Sequence, residues 1–280
     1  MEPWNTVREA VAWSDQAAQN SALERFGEGG MSEDSLYLNV TAPKEAKELP
    51  VMVWFHGGGF TALTSNTKPF NNPEAMASKG VVQVSVNHRL GPFGYIAHPQ
   101  LSAESGYNGS GNYGQMDLIA ALEWVQENIE AFGGDPENVT IFGESGGGRK
   151  VLSLMASPQA AGLFHRAIIQ SAACGTPLRT LPQAEVFAAK VAKEAGCPDA
   201  ATAFACLKTI DPQALIAAGT RAAKGELPAL AAFTGNATQA SATMAALQAG
   251  QFLHLPVLNG FTRDEMRLYV GYDVQGGAKI

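Results

Sequence analysis

The sequence is poor in cysteine and in charged residues. Of its 280 residues three are cysteines and 16% are charged, and no two cysteines form a C-x-x-C pair. A zinc site or a thioredoxin-like site is therefore not expected. Two interpretations of Cys197 and Cys206 stay open, a disulfide formed in an oxidising compartment or two small buried thiols. Cys174 is then the odd cysteine and is expected in the core.

The sequence also lacks an excess of basic residues, long apolar runs and internal repeats. The formal net charge is -7, so no field attracts nucleic acid and no nucleic-acid partner is expected. No apolar run approaches the length of a membrane span, and the first four residues lack the basic-then-apolar order of a secretory signal. With 46% hydrophobic residues the composition is typical of a globular enzyme. It predicts neither a compartment nor an oligomeric state.

Short apolar runs separated by glycine-rich turns organise the chain. Runs of this length are typical of strands buried on both faces, as in a parallel sheet under helices. They predict an α/β fold with a mostly parallel central sheet and one domain over residues 1–280. The runs are 51–55, 81–87, 139–142, 167–170 and 256–259.

A long helix is predicted between the second and third strands. Its apolar residues are spaced four, three, four and three apart, which makes one stripe. Gly133-Gly134 is expected to end it, with Asp135-Pro136 as the following turn. Strand, helix and strand in this order form a βαβ unit. The residues of the stripe are Leu118, Leu122, Val125, Ile129 and Phe132.

Residues from about 180 to 250 have a different composition. They are rich in alanine, poor in β-branched residues and interrupted by four prolines. This predicts several short helices inserted before the last strand. The insertion either covers part of a binding site, which we favour, or only packs against the sheet.

Residues 143–147, Gly-Glu-Ser-Gly-Gly, follow the predicted strand 139–142 directly. They match the G-x-S-x-G nucleophile elbow, in which the serine occupies a strained strand-to-helix turn. Glycine is needed beside it because side chains there would collide with neighbouring backbone. The following helix aims its amide dipoles at the developing negative charge. The pentapeptide alone is a weak signal, and its position after a buried strand makes Ser145 a candidate nucleophile.

Residues 56–60, His-Gly-Gly-Gly-Phe, follow the predicted strand 51–55. Consecutive glycines let the backbone approach a ligand and expose its N–H groups, as in the oxyanion loop of esterases. A plain glycine-rich turn is the alternative. A phosphate loop would need Gly-Lys-Ser or Gly-Lys-Thr, which the sequence lacks here. An oxyanion loop, a βαβ crossover and an elbow in this order are hard to obtain by chance.

Several longer segments resemble the type-B carboxylesterases, the cholinesterase-like branch of the α/β-hydrolases. Residues 32–40, Ser-Glu-Asp-Ser-Leu-Tyr-Leu-Asn-Val, are similar to that family's S-E-D-C-L-Y-L-N-V signature, and residues 142–147 to its F-G-E-S-[AG]-G signature. Segments 87–91, 111–114 and 132–136 also fall where family motifs fall. The resemblance runs over nearly all 280 residues and implies the α/β-hydrolase fold.

The resemblance assigns roles to individual residues. It implies Ser145 as the nucleophile and the N–H groups of Gly58, Gly59 and Gly146 as the oxyanion hole. The segment 260–265 is similar to the family's G-x-x-x-D-E, which makes Glu265 the triad acid. Its position just beyond the last predicted strand suits an acid delivered to the carboxyl edge of the sheet. A solvated loop carboxylate is the alternative for this glutamate.

Substrate contacts are implied at Glu144 and Leu178. Glu144 adjoins the nucleophile and would lend negative charge to a cationic intermediate or substrate, or else it is a structural buried carboxylate. Leu178 stands in the acyl-pocket region where cholinesterases have tryptophan, which leaves more room for the acyl group. Two further departures are Ser35, where the family often has a disulfide cysteine, and Leu118, where many relatives carry glutamine.

A catalytic histidine is not evident in the sequence. In α/β-hydrolases the triad order is serine, acid, histidine, and none of the 15 residues after Glu265 is histidine. His254 precedes the last strand and should lie about 20 Å from the acid. His56 alone has a plausible approach to the site, and it is expected to be structural. The remaining histidines, which we expect to be packing residues, are His88, His98 and His165.

These observations predict a serine carboxylesterase that acts on a small-molecule ester through an acyl-enzyme, without metal or cofactor. The simplest interpretation is a fragment truncated at both ends, since residues 3–10 resemble a stretch that relatives reach after several early strands. The base would then lie beyond Ile280, and strand 256–259 would be an open edge. The alternative function is a non-catalytic adhesion protein on the same fold. The natural ester is not predicted.

Overall fold

The computed structural model describes residues 6–7, 9–20, 27–68, 70–106, 109–172, 178–223, 232–235, 238–239, 241–265 and 267. Within them a six-stranded sheet carries the fold, and a separate parallel pair joins two short strands near the start of the chain. The strands are β1 (Gln16–Ala17), β2 (Met31–Ser32), β3 (Leu38–Thr41), β4 (Leu49–Phe55), β5 (Val82–Val86), β6 (Gly134–Glu144), β7 (Arg166–Gln170) and β8 (Val257–Gly260).

The six-stranded sheet has the order β3-β5-β4-β6-β7-β8. All its neighbouring strands are parallel except β3, which pairs antiparallel with β5. The five predicted apolar runs correspond to β4, β5, β6, β7 and β8, so the predicted mostly parallel sheet is confirmed. Strands β4, β5 and β6 lie in the middle, where Val53, Val84 and Ile141 have no exposed surface.

Nine α-helices are described beside the strands. Four of them, from α6 to α9, lie between β7 and β8, where several short inserted helices were predicted. The helices are α1 (Pro73–Ala77), α2 (Gly91–Tyr95), α3 (Pro99–Glu104), α4 (Tyr113–Asn128), α5 (Gly146–Met155), α6 (Leu181–Glu194), α7 (Ala203–Leu207), α8 (Pro212–Ala222) and α9 (Thr243–Gln248).

The predicted apolar stripe holds over α4 and fails at its last residue. Leu118, Leu122, Val125 and Ile129 have no exposed surface, whereas Phe132 is 44% exposed. Residues Ile129–Phe132 form a 3-10 turn, and Gly133 ends it with φ +79°. A 3-10 turn has about three residues per turn, so it rotates this phenylalanine away from the core face.

The turn predicted at Asp135-Pro136 is also wrong, because both residues belong to β6. The register between β4 and β6 shifts between the pairs Leu49–Gly134 and Val51–Val139. Proline has no N–H for a regular ladder and is tolerated at such an irregularity. The strand therefore begins five residues before the predicted one.

The inserted helices pack next to the glycine-rich loop that follows β4. Phe60 of that loop belongs to a second hydrophobic cluster with Phe187 and Val191 of α6 and Leu215 of α8. Of the two open interpretations for the cysteines, the structure has the disulfide: Cys197 and Cys206 are bonded, with Cα atoms 5.8 Å apart. The third cysteine lies outside the described residues.

Strand β8 forms one edge of the described sheet. Val257 is 45% exposed, Leu258 is 65% exposed, and Phe261 just beyond the strand is 57% exposed. An apolar edge of this kind exposes unpaired backbone groups and invites pairing with another chain. The predicted open edge at 256–259 is thus present in the described part of the sheet.

An ion pair fastens the loop after β5 to helix α4. The Arg89 guanidinium donates to Asp117 at 2.6 and 2.9 Å, and the backbone N–H of Arg89 donates to the same carboxylate at 2.9 Å. Only 6% of the Asp117 side chain is exposed. Hydrogen bonds to a charged group contribute more than neutral ones.

We expect Asp117→Asn to lower the free energy of unfolding by about 1–2 kcal/mol, because a half-buried guanidinium loses its counter-charge. Urea unfolding followed by circular dichroism measures this. Asp264→Asn is the matched control, since its arginine partner Arg263 is 90% exposed and such surface pairs contribute little. Equal losses in the two variants would contradict the prediction.

Candidate active site

The register of the sheet brings the chemically interesting segments to one edge. Phe55 at the end of β4 lies opposite Gly143, and Glu144 at the end of β6 lies opposite Gln170. Gln170 at the end of β7 in turn lies opposite Gly260 at the end of β8. The glycine-rich loop, the elbow and the acidic segment all start at these carboxyl ends. Parallel α/β sheets bind ligands at this edge.

Ser145 sits in a strained turn between β6 and α5. Its φ is 54° and its ψ is −118°, a conformation that a non-glycine residue adopts only when its surroundings enforce it. The backbone N–H of Ser145 donates to the Gln170 carbonyl at 2.8 Å, and the N–H of Arg149 donates to the Ser145 carbonyl at 3.1 Å. The serine thus caps the N-terminus of α5, where the helix dipole favours negative charge.

Close backbone contacts explain the glycines around this serine. A Cβ atom on Gly146 would lie 2.6 Å from the Gly59 nitrogen, and one on Gly57 would lie 3.2 Å from the Glu144 carbonyl oxygen. A Cβ on Gly147 would overlap the carbonyl oxygen of Phe55. The elbow and the triple-glycine loop are therefore in direct backbone contact, which side chains at these positions would prevent.

The triple-glycine loop turns sharply at two successive residues. Gly58 has φ +76° and Gly59 has φ +65°, in the left-handed region that favours glycine. The Thr61 N–H closes the turn on the Gly58 carbonyl at 3.3 Å. Backbone N–H groups in such conformations can form concave anion sites.

Glu144 precedes the serine in the chain, and Glu265 lies close enough to Glu144 to affect its charge. Glu144 is half-buried, with Oε2 3.2 Å from the position that a Cβ on Gly57 would take. Burial raises the pKa of Glu144, and the negative charge of Glu265 adds to this. Hydrogen bonds from the Ser171 hydroxyl and from the Thr262 N–H, which lies 2.8 Å from Oε1, lower the pKa of Glu265. Glu265 thus stays ionised at neutral pH close to Glu144.

Leu178 lies elsewhere, in a groove along α6. The groove has a volume of about 470 Å³, and its described lining contains no residue of the elbow or of the triple-glycine loop. The structure therefore does not bring Leu178 together with Ser145 through a shared cavity among the described residues. Of the predicted acyl-pocket segment, residues 171–178, the part 173–177 lies outside them. The groove is lined by Leu178, Arg179, Pro182, Gln183, Val186, Phe187 and Lys190.

None of the five histidines has a hydrogen bond to Ser145 or Glu265 in the described structure. His56 is 2% exposed and its Nδ1 donates to the Gly57 carbonyl, and its ring stacks on that of His88 at 4.6 Å. His98 accepts from the Gln100 N–H, and His165 accepts from the Val139 N–H. His254 contacts the Gly250 carbonyl. Each ring therefore has a local structural partner.

Sequence reasoning missed Ser171 and Lys150. Ser171 follows β7 with φ +53° and contacts Glu265, whereas the sequence placed it only at the start of the acyl-pocket region. Lys150 lies in α5, is 2% exposed, and donates to the His56 carbonyl at 2.8 Å. The sequence could have indicated Lys150. The helix after an elbow is buried on most sides, and a lysine in it needs a polar partner.

Comparison with known proteins gives a consistent result. The family model described as "Carboxylesterase family" matches residues 1–279. The chain is 45% identical over 188 residues to the fumonisin B1 esterase of Sphingopyxis macrogoltabida, covering 65% of this chain and 34% of that protein. It is 46% identical over 181 residues to the para-nitrobenzyl esterase of Bacillus subtilis (strain 168), covering 62% and 36%. The chain thus spans about a third of these relatives.

Solved structures agree in fold. A thermophilic PNB esterase superposes with a TM-score of 0.84 at 35% identity, over 94% of this chain and 55% of that one. The Geobacillus stearothermophilus carboxylesterase EST55 superposes with a TM-score of 0.81 at 34% identity, over 97% and 55%. No helix in the described ranges is both long enough and apolar enough to cross a membrane.

Proposed function

The chain belongs to the carboxylesterase family, and on that premise we propose that the protein is a serine carboxylesterase that hydrolyses carboxylic esters through an acyl-enzyme on Ser145. The observation that carries the proposal is the strained turn of Ser145, φ 54° and ψ −118°, between β6 and α5. The cost of such a conformation is of order 1–3 kcal/mol and is typical of residues held for function. The substrate is a small-molecule ester.

In the proposed first step the Ser145 oxygen attacks the ester carbonyl carbon and its proton passes to a base. The carbonyl oxygen becomes an oxyanion held by the N–H groups of Gly58, Gly59 and Gly146. The C–O bond to the alcohol then breaks and the alcohol leaves with the proton. Water attacks the resulting acyl-enzyme in the same way and releases the acid.

The contact between Gly146 and Gly59 supports this oxyanion hole, because it brings amides from two segments beside one serine. The helix dipole of α5 adds positive potential at the same place. Glu265 is proposed as the triad acid. Its ionised state and its position after β8 support that role.

The proposal assigns the base to none of the five histidines. Burial lowers the pKa of His56 well below its ordinary value, and its Nδ1 proton is engaged with the Gly57 carbonyl. Glu144 is proposed to face the cationic form of a base or a substrate. The helices α6 to α9 are proposed as a partial cover over the site in one domain with the sheet, and Leu178 is not used as an acyl-side contact because it lines the separate groove along α6.

Covalent capture by a fluorophosphonate probe tests the proposed function. The probe reacts with an activated serine, so we expect one adduct on the protein, located at Ser145 by peptide mass spectrometry and absent in Ser145→Ala. Ser78→Ala, which removes an exposed serine hydroxyl, is the matched control and should be labelled normally. The gene product of the complete reading frame is the sample.

Absence of an adduct from this sample would contradict the serine-esterase proposal. Binding of another protein by the same unlabelled sample would then favour the adhesion alternative. Capture at a different serine would contradict the assignment of Ser145.

A further inference from the structure

Lys150 is buried, and no described carboxylate pairs with it. It lies in the second turn of α5, five residues after the proposed nucleophile, and is 2% exposed. In the described part of the chain it makes no ion pair with Asp or Glu. Lysine is almost never fully buried unless it is paired, so a lysine retained here needs an explanation other than packing.

The contacts of Lys150 lead to the loop that follows β4. Its Nζ donates to the His56 carbonyl oxygen at 2.8 Å, and Nζ lies 5.6 Å from the centre of the Phe60 ring. The Arg149 guanidinium lies 5.2 Å from the same ring. The lysine therefore connects the helix that begins at Ser145 with both ends of the triple-glycine loop.

Chain geometry limits how far this charge lies from the proposed oxyanion hole. Gly58 lies two positions after His56, and an extended chain spans at most about 3.6 Å per residue. Adding the 2.8 Å hydrogen bond places Nζ within about 10 Å of the Gly58 amide. Salt screens the effect of a buried charge only weakly over this distance, so the Lys150 charge can act on an anion at the Gly58 amide.

We propose that Lys150 is a positioning residue, which holds the His56 carbonyl from the nucleophile-bearing helix and places a positive charge behind the oxyanion hole. This inference rests on the proposed function of Ser145. The lysine acts through the loop and does not touch the substrate. A fixed backbone and a nearby positive charge both favour an oxyanion over the uncharged ester carbonyl.

The charge on Lys150 changes within the working range of an esterase. Burial, and secondarily the charge of Arg149, lowers the pKa of Lys150 to about 7. The other titratable groups that face it are His56 and His88, and burial lowers the pKa of both rings well below the ordinary value. Both rings therefore stay neutral, and Lys150 carries its positive charge below about pH 7 and loses it above.

A single carbonyl signal reports this contact. Residues 56–57 are the only His-Gly pair in the 280-residue sequence. This chain, labelled with carbonyl-¹³C histidine and ¹⁵N glycine, therefore gives one correlated peak, from the His56 carbonyl and the Gly57 amide. We expect the His56 carbonyl shift to titrate with a midpoint near pH 7. The inflection should vanish in Lys150→Met, and Lys150→Arg should hold the low-pH shift throughout.

A flat titration in the wild type, or an inflection that persists in Lys150→Met, would overturn the proposal. The methionine variant replaces a buried charge, which is costly to desolvate, by an apolar chain of similar length. Its folding is checked in the same spectrum. The carbonyl shift does not depend on acylation of Ser145. The titration therefore tests the role of Lys150 separately from the reactivity of Ser145.

The functional consequence is measured as the rate of fluorophosphonate capture by the gene product of the complete reading frame. We expect the ratio of wild-type to Lys150→Met rates to be about tenfold near pH 6 and to fall to about twofold near pH 9, a fraction of the effect of losing an oxyanion donor. Lys150→Arg should restore the wild-type rate near pH 6. A pH-independent ratio would show a merely structural lysine, and no capture in any variant would count against the proposed function alone.

Discussion

Hydrolysis of a p-nitrophenyl ester by the purified 280-residue chain is expected to be about a million-fold slower than by a serine hydrolase with a complete triad. Loss of the triad histidine costs about this factor in turnover. All five histidines of the chain are described, and each has a local partner away from Ser145. A serine hydroxyl without a base is a weak nucleophile.

The measurement is initial-rate release of p-nitrophenolate, with Ser145→Ala as the control for hydrolysis by other side chains. The gene product of the complete reading frame, assayed in parallel, supplies the reference rate. Turnover of the 280-residue chain at an ordinary enzyme rate, about 1 per second or faster, would contradict the prediction. His56→Gln would then test whether the buried histidine beside the loop is the base.

Replacement of Gly147 by valine is expected to lower the free energy of unfolding by about 3 kcal/mol or more. Overpacking a site typically costs 1–3 kcal/mol, and more where the neighbours cannot yield. Here a Cβ would overlap the Phe55 carbonyl oxygen and would lie 3.0 Å from the His56 carbonyl oxygen. These are backbone atoms of a central strand and of the loop after it, so relief requires the sheet and α5 to separate.

Gly260→Val provides the matched control, because no atom lies within 4 Å of a Cβ placed on Gly260. A surface change of this kind is usually within about 0.5 kcal/mol. Urea denaturation with an unchanged slope gives both values. A loss for Gly147→Val no larger than for Gly260→Val would show that the elbow does not press against β4 as the structure has it.

The central strands and the elbow were predictable because local pattern and tertiary environment agree there. Strands buried on both faces are mostly apolar, and 51–55 shows this directly. The run 81–87 keeps four valines but also holds the buried polar residues Gln83, Ser85 and Asn87. The elbow was predictable because the strained turn of Ser145 requires glycine beside it. Strand β3 was missed, since Leu38–Thr41 is half-buried throughout and pairs antiparallel at the sheet edge, where no continuous apolar run is needed.

The ends of helix α4 and strand β6 depend on local backbone geometry, which the spacing of apolar residues does not reveal. Spacing of four and three residues predicted Phe132 on the core face, but the last turn tightens to a 3-10 turn before Gly133. The stripe assumes 3.6 residues per turn, and one tighter turn is enough to expose the side chain. Similarly, the register shift between β4 and β6 placed Pro136 inside a strand.

By itself the sequence determined the parallel sheet, the serine at its elbow, the three glycines opposite it and the family to which the chain is similar. These features depend on which residue type each position can hold, and residue type is what a sequence records. The tertiary structure alone decided that Ser171 holds Glu265, that Lys150 reaches the His56 carbonyl, and that Leu178 lines a groove on α6. Such contacts depend on distances between segments far apart in the chain, which the order of residues does not contain.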